Sequence, residues 1–352
     1  MTTKTIRLKI NDRDVEAPEG STIFQAARSA GIVIPHLCYD PELGLPPTSA
    51  CRLCVVEVEG AAAPAASCSL PARDGMVVRT DTEDLREIRR TVIELLLSDH
   101  PHDCATCEKS GDCLLEEYAY EFGIRERHPG PAVCVQPAED APMLDYERTK
   151  CILCGRCVAV CHNIQAAGAV DFLGRGFDTE IGLPPGLVRE DSDCELCGNC
   201  VAVCPTGAAA ARRMTGLVGA TKVRTTCGYC GVGCQMDLNV RDGRVVGVTS
   251  SCDSPVNGWW LCVKGRFGYE FIHHPDRLTQ PLIRRGDRLE PASWDEALDF
   301  VASRLSAIKA ADGPDAIGFV SSSRCTNEEN YLMQKMARAA VGTNNVDQCA
   351  RT

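Results

Sequence analysis

Cys151-Ile-Leu-Cys154-Gly-Arg-Cys157-Val-Ala-Val-Cys161 and Cys194-Glu-Leu-Cys197-Gly-Asn-Cys200-Val-Ala-Val-Cys204 are the two stretches from which the rest of the chain can be read. Each carries the spacing C-x2-C-x2-C-x3-C of a [4Fe–4S] thiolate run. When such runs are paired, the fourth cysteine of each ligates the other cluster. The expected sets are therefore Cys151, Cys154, Cys157 and Cys204 for one cube, and Cys194, Cys197, Cys200 and Cys161 for its neighbour. Pro205 follows Cys204, whereas His162 follows Cys161. The proline shapes a turn and contributes no donor, so the ligand sets are the same with or without it.

Working outward, nineteen of the 23 cysteines and one histidine fall into five sets. The first, Cys38-x12-Cys51-x2-Cys54-x13-Cys68, suits a [2Fe–2S] centre, although it differs from the plant-type C-x4-C-x2-C spacing. Four cysteines also suit structural zinc. The second set, His100-x3-Cys104-x2-Cys107-x5-Cys113, fits zinc or a [4Fe–4S] centre equally well on spacing alone. The fifth, Cys227-x2-Cys230-x3-Cys234-x27-Cys262, is followed by Lys264-Gly265 and again admits zinc. Cys134, Cys252, Cys325 and Cys349 fit no set and read as small buried hydrophobes. His273 and His274 read as structural.

The chain has 352 residues, 5% aromatic content and a formal net charge of −11. That length suggests two or three domains. Metal centres can replace hydrophobic core as a source of stability, so smaller modules are expected. The acidic balance argues against nucleic acid, for which a basic stripe is needed. No apolar run approaches the roughly 18 residues of a membrane span. Met1-Thr2-Thr3-Lys4 has neither an apolar stretch nor twin arginines, so export is not expected. The cysteines then belong to a reducing, cytoplasmic setting, where thiols bind metal in preference to pairing as disulfides.

The organisation expected is a multi-domain α+β chain. Residues 1–80 form a small β domain, with strands marked by Ile6, Leu8 and Ile10, by Val56 and Val58, and by Val78. A short helix near Thr22–Ala30 opens on a Thr22/Gln25 capping box. Residues 81–122 begin with a helix from about Asp84 to Ser98, with Leu85, Ile88, Val92 and Leu95/Leu96 on one face, and carry the His100 set. A Pro-rich linker, 123–142, leads to the double [4Fe–4S] unit at 143–212. The Cys227 set occupies 220–276. From 277 to 352 the pattern changes. Ser293 and Glu296 cap a helix rich in Leu298, Val301, Leu305 and Ile308. Ile317–Val320 reads as a buried strand, Ser321–Ser323 as a turn, and Thr326/Glu329 as the cap of a helix through Ala340. That succession is the opening of an α/β domain.

Several segments carry a resemblance. The region around the Cys38 set resembles the [2Fe–2S] domain at the front of the large complex I iron–sulfur subunit, which implies a β-grasp fold. His100-Pro101-His102-Asp103-Cys104 with Lys109-Ser110-Gly111-Asp112-Cys113 resembles the one-histidine, three-cysteine [4Fe–4S] motif of the same family. Cys227-Gly-Tyr-Cys230-Gly-Val-Gly-Cys234 and Trp260-Leu-Cys262-Val-Lys264-Gly-Arg-Phe267 resemble the [4Fe–4S] domain that opens molybdopterin oxidoreductases. There a lysine at the Lys264 position lies between cluster and pterin. Residues 226–352, through Ser293-Trp-Asp-Glu-Ala-Leu298 and Ser322-Ser-Arg-Cys-Thr-Asn-Glu-Glu-Asn330, resemble formate dehydrogenases of the molybdenum or tungsten bis-pterin type, and with the front modules included all 352 residues resemble the N-terminal portion of the catalytic α subunit of a soluble NAD-dependent formate dehydrogenase.

The resemblance implies one [2Fe–2S] and four [4Fe–4S] clusters, with a molybdenum or tungsten bis-molybdopterin guanine dinucleotide in the complete protein. It implies formate as substrate and a flavin- and NAD-binding diaphorase-type partner that itself carries iron–sulfur clusters. Asn344-Asn345-Val346-Asp347-Gln348-Cys349-Ala350-Arg351-Thr352 resembles the run leading to the family's metal-ligating Cys or selenocysteine. The expectation is a UGA codon for selenocysteine after Thr352, with an in-frame continuation opening on histidine. Complex I-type and hydrogenase-type iron–sulfur subunits and a non-catalytic electron carrier are the alternatives. Metal analysis of anaerobically prepared protein is expected to return iron with matching acid-labile sulfide and little zinc. Zinc with scarcely any sulfide would remove the redox reading.

Overall fold

The computed structural model describes residues 4–101, 103–125, 144–183, 191–212, 214, 217–251 and 253–348. Cys134, Cys252 and Cys349, most of the expected linker and the run 349–352 lie outside the described residues.

Alternation at Ile6, Leu8 and Ile10 gives strand β1 (Thr5–Ile10), with all three side chains buried. Asn11 and Asp12, at φ of 48° and 63°, turn the chain back antiparallel into β2 (Arg13–Pro18). These two residue types tolerate positive φ best after glycine. Helix α1 (Ile23–Ser29) starts at Thr22, whose hydroxyl accepts from the Gln25 N–H while the Gln25 side chain accepts from the Thr22 N–H. Strands β3 (Val55–Val58), β4 (Ala65–Ala66) and β5 (Val77–Arg79) complete a sheet of order β2-β1-β5-β3-β4, with β1 and β5 parallel. Cys38, Cys51, Cys54 and Cys68 are themselves part of the core packed beneath this sheet.

Helix α2 (Glu83–Ser98) follows, capped by Thr82. Its buried stripe is Leu85, Arg89, Ile93 and Leu97; of the expected face Leu85, Ile88, Val92 and Leu95/Leu96, Leu85 is buried and Val92 and Leu96 pack part-buried against the core, while Leu95 is 66% exposed. Arg89 explains the rotation. Its guanidinium is buried and donates to the carbonyls of Leu53 (3.0 Å), Val55 (2.9 Å) and Thr80 (2.8 Å). A periodicity count that places arginine outside misses a cation with three acceptors waiting for it. Helix α3 (Leu114–Glu121) packs alongside, and its Tyr118 hydroxyl accepts from the His36 N–H at 3.1 Å.

In the double-run unit β6 (Leu144–Tyr146) pairs antiparallel with β9 (Ala209–Ala211). Between them lie α4 (Arg156–Asn163), the β7 (Asp171–Leu173) and β8 (Glu180–Gly182) hairpin, and α5 (Asn199–Val203). The next module is an antiparallel sheet of β10 (Thr221–Thr226), β11 (Gln235–Arg241) and β12 (Arg244–Thr249), followed by α6 (Val263–Phe267).

The last region holds the hairpin β13 (Leu282–Arg285) and β14 (Arg288–Pro291), then α7 (Trp294–Asp312), β15 (Phe319–Ser321), α8 (Asn327–Lys335) and β16 (Val346–Gln348). β16 runs parallel to β15, which is the expected α/β opening. Thr326 and Glu329 form their capping box. At α7 only half of the expected box is made: Ser293 accepts from the Glu296 N–H, while the Glu296 carboxylate pairs with Arg285. The strand expected at 317–320 is displaced to 319–321, with Ile317 buried but Val320 74% exposed. The Leu298, Val301 and Ile308 face of α7 is exposed as well. Among the described residues no helix is long and apolar enough to cross a membrane.

Arg89→Ala would leave three buried carbonyls without their charged donor. It is expected to cost about 3 kcal/mol, read as a lower denaturant midpoint for the front domain with α2.

Candidate metal centres

The two cysteine runs adopt the same backbone. Leu153 and Leu196, each just before the second thiol, sit at φ of 51° and 52°, and Gly155 and Gly198, just after it, at 74° and 72°. A left-handed leucine is strained, and such strain collects where the chain must be held for function. Alternating hands point successive amides inward as a nest for negative charge. Accordingly the Leu153 N–H meets Cys151 Sγ at 3.4 Å, Ala169 N–H meets Cys161 Sγ at 3.3 Å, and Ala209 N–H meets Cys204 Sγ at 3.4 Å.

Proximity crosses between the runs. Cys151 and Cys154 are acted on by Cys204, and Cys197 by Cys194 and Cys161. Burial pushes the Cys154 thiol up to about 12, and its sulfur neighbours push the same way. Cys157, also raised by burial, feels Cys200 of the other set, so the two sets lie side by side.

The front set is the tightest. The Cys51 and Cys68 thiols hydrogen-bond to Cys38, and Cys68 also to Cys54. Receiving these bonds holds Cys38 far below the ordinary thiol range and brings Cys54 down to about 7, while donating them pushes Cys51 and Cys68 far up. All four are buried, and Ser49 Oγ lies 3.5 Å from Cys68 Sγ.

His100 is buried, with Nδ1 at 2.9 Å from the Pro101 carbonyl. Only a protonated Nδ1 can donate there, which makes Nε2 the nitrogen with a lone pair to give, the usual tautomer of a ligand histidine. Burial raises the Cys104 and Cys113 thiols. In the fifth set, Cys234 is raised by burial first, then by Cys227, Cys230 and Cys262, so these four also stand together. Asn257 braces them: its side-chain oxygen accepts from the Gln235 N–H at 2.8 Å, and its amide donates to the carbonyls of Gln235 and Trp260, both at 3.0 Å. Lys264 sits in α6, just past Cys262. His273 is structural, its Nε2 accepting from the Val245 N–H at 2.9 Å.

Among the described residues no three His, Cys, Asp or Glu side chains converge on one point as a site for a single ion. The donor chemistry fits iron–sulfur groups nonetheless. Thiols crowded in burial, with amides aimed at sulfur, are costly as bare anions and favourable as ligands of a cationic metal cluster.

The sets are also joined. Thr48 Oγ1 donates to the Cys154 carbonyl at 2.8 Å, and Arg156 donates to the Tyr39 carbonyl at 3.3 Å, docking the front domain on the first run. A Cβ on Gly207 would stand 3.6 Å from Cys107 Sγ and 3.2 Å from Lys109 Cβ, so the His100 module lies against the loop after Cys204. On the other side, Arg266 Nε donates to the Cys197 carbonyl at 3.0 Å. The residues that make these junctions, Thr48, Arg156 and Arg266, carried no signal that a spacing search could find.

Comparison with known proteins follows the same modules. The chain matches the 2Fe-2S iron-sulfur cluster binding domain over residues 3–83 and the NADH-ubiquinone oxidoreductase-G iron-sulfur binding region over 89–128. It matches the ferredoxin-like domain of NADH-quinone oxidoreductase subunit 3 over 141–210. The molybdopterin oxidoreductase Fe4S4 domain matches over 220–274, and the molybdopterin oxidoreductase family over 277–352. The NADPH-Fe(3+) oxidoreductase subunit alpha of Geobacter sulfurreducens is 39% identical over 350 residues, covering 98% of this chain and 40% of the relative. The second NADH-quinone oxidoreductase G-type chain of Rhizobium meliloti is 38% identical over 353 residues, with 98% and 40% covered. The Bacillus subtilis protein YrhE, provisionally named a formate dehydrogenase, is 33% identical over 399 residues, with 100% and 40% covered. The chain thus spans about 40% of the length of these curated relatives.

A solved chain of an NAD+-reducing [NiFe]-hydrogenase aligns at TM-score 0.51 and 32% identity, over 60% of this chain and 88% of that one. A [2Fe–2S] ferredoxin domain, [4Fe–4S] modules and the start of a molybdopterin domain therefore succeed one another here. Residues 220–352 are thus similar to the molybdopterin oxidoreductase family and residues 3–210 to the iron–sulfur modules of NADH-quinone oxidoreductases, so the chain is an iron–sulfur electron-transfer part of an oxidoreductase.

Proposed function

We propose that this chain is the electron-transfer part of a formate dehydrogenase α subunit. The complete protein would oxidise formate to carbon dioxide, releasing two electrons and one proton, at a molybdenum or tungsten bis-molybdopterin guanine dinucleotide. A flavin- and NAD-binding partner would receive the electrons. The observation that carries this reading is the unbroken succession of contacts from the Cys262 loop, through the interleaved runs, to the Cys38 and His100 modules. When bound, the clusters supply the one-electron steps that separate two-electron chemistry at either end.

The chain's residues then have distinct tasks. Cys227, Cys230, Cys234 and Cys262 hold the [4Fe–4S] group nearest the pterin, and Lys264 lies between the two. Cys151, Cys154, Cys157 and Cys204, and Cys194, Cys197, Cys200 and Cys161, hold the paired cubes. His100, Cys104, Cys107 and Cys113 hold a fourth [4Fe–4S] group, and Cys38, Cys51, Cys54 and Cys68 the [2Fe–2S] group. Burial of the front sulfurs Cys38, Cys51, Cys54 and Cys68 keeps water away and fixes their spacing, whereas Cys230 and Cys262 are exposed. Free thiolate sets of this kind call for a reducing compartment such as the cytoplasm.

A second reading is supported by the higher identity of the Rhizobium relative than of YrhE: a complex I-type subunit that carries electrons without a pterin metal. Elemental analysis and assay of the complete protein with its partner separate the two. Molybdenum or tungsten together with formate-dependent NAD reduction is expected. Full iron and sulfide with neither metal would favour the complex I-type reading. Lys264→Ala is expected to keep iron and pterin metal but to slow formate-dependent reduction by at least about tenfold; an unchanged rate would remove Lys264 from its assigned place.

A further inference from the structure

Arg266 is 2% exposed, which makes it the largest fully buried side chain among the described residues. Its Nε donates to the Cys197 carbonyl at 3.0 Å, and a terminal guanidinium nitrogen donates to Asn199 Oδ1 at 2.9 Å. Asn199, itself 2% exposed, is held in turn by Gln165, whose side-chain oxygen accepts its amide at 3.1 Å. Its Oδ1 also faces the Leu261 N–H at 3.4 Å, next to Cys262. The approach is close enough to demand glycine: a Cβ on Gly198 would fall 2.6 Å from Arg266 Cδ and 2.7 Å from Phe267 Cζ.

A buried guanidinium normally has a carboxylate beside it, because an uncompensated charge out of water is costly. Here the ionisable groups acting on Arg266 are the thiols of Cys197, Cys200 and Cys262. Cys197 and Cys200 belong to the second paired run, and Cys262 to the set beyond it. With clusters bound, the compensating negative charge therefore comes from sulfur ligands of two different sets.

The first run offers the internal comparison. Arg156 occupies the position equivalent to Asn199, between the second and third cysteines, and is also buried. Yet Arg156 has the Asp40 carboxylate at 4.0 Å. Of Arg156 and Arg266, Arg266 is the one whose counter-charge is sulfur alone.

We propose that Arg266, oriented by Asn199, is the positioning and potential-setting residue shared by the Cys194/Cys197/Cys200/Cys161 and Cys227/Cys230/Cys234/Cys262 centres. The inference rests on the iron–sulfur assignment of those two sets. A fixed cation stabilises whichever neighbouring centre has gained an electron, so it raises both potentials. An electron crossing from one set to the other oxidises the donor side by one unit and reduces the acceptor side by one. Arg266 keeps its proton throughout, so no proton moves with the electron.

EPR-monitored redox titration of the anaerobically purified, cluster-loaded full chain tests this. Arg266→Met is expected to lower the midpoint of at least one [4Fe–4S] centre, shifting its oxidised-to-reduced ratio at fixed potential about tenfold, or about 59 mV for a one-electron couple. Arg266→Lys, which keeps the charge, is expected to stay near wild type. If Arg266→Met does not retain its iron and sulfide, Asn199→Asp takes its place; it leaves the guanidinium in position but neutralises it, and the same fall is expected. Unchanged potentials in the variant that retains full iron and sulfide, or an equal fall in Arg266→Lys, would overturn the proposal. A wild-type chain without iron and sulfide would instead strike the electron-transfer reading itself.

Discussion

Sulfur atoms brought together in burial repel one another as anions, and every front module of this chain is arranged around that cost. The four front thiols share protons to lessen it, and burial drives the Cys154 thiol up to about 12. A cationic iron–sulfur group takes the place of those protons, so binding free energy becomes folding free energy. That exchange accounts for a module with a very small apolar core, such as the cluster of Val248, Leu261 and Tyr269.

Positive charge is distributed with the same logic. Among the described residues the buried arginines are Arg89, Arg156 and Arg266, and each donates to main chain at a ligand loop. Arg89 reaches the carbonyls that flank Cys54, Arg156 the carbonyl after Cys38, and Arg266 the carbonyl of Cys197. Neutral hydrogen bonds at such places are worth about 1 kcal/mol, and charged donors more. These arginines hold ligand loops in place and put cations beside anionic sulfur. At two of them, Arg156 and Arg266, the bond also crosses from one module to the next, so the contacts that join the modules lie close to the ligands.

The succession of modules was legible in the sequence because cysteine spacing is local: three thiols on one loop need fixed separations whatever surrounds them. The β1 alternation and the Thr22 and Thr326 boxes were legible for the same reason. What escaped depended on distant chain. The stripe of α2 turned because Arg89 meets carbonyls of β3 and of the segment after β5, which no helical count contains. The box at Ser293 was halved because Arg285 competes for the Glu296 carboxylate. The junction residues were silent because an arginine or asparagine inside a cysteine run looks like filler until its partner module is placed against it.

On this reading the ligand sets hold clusters close enough to act on one another. Low-temperature EPR of the dithionite-reduced, anaerobically purified chain, recorded over a range of temperature and power, tests it most directly. The expected result is one slowly relaxing [2Fe–2S] signal and several fast-relaxing [4Fe–4S] signals, broadened by spin–spin interaction between neighbours. A reduced chain with no such signals, or with well-isolated ones that show no mutual broadening, would contradict it.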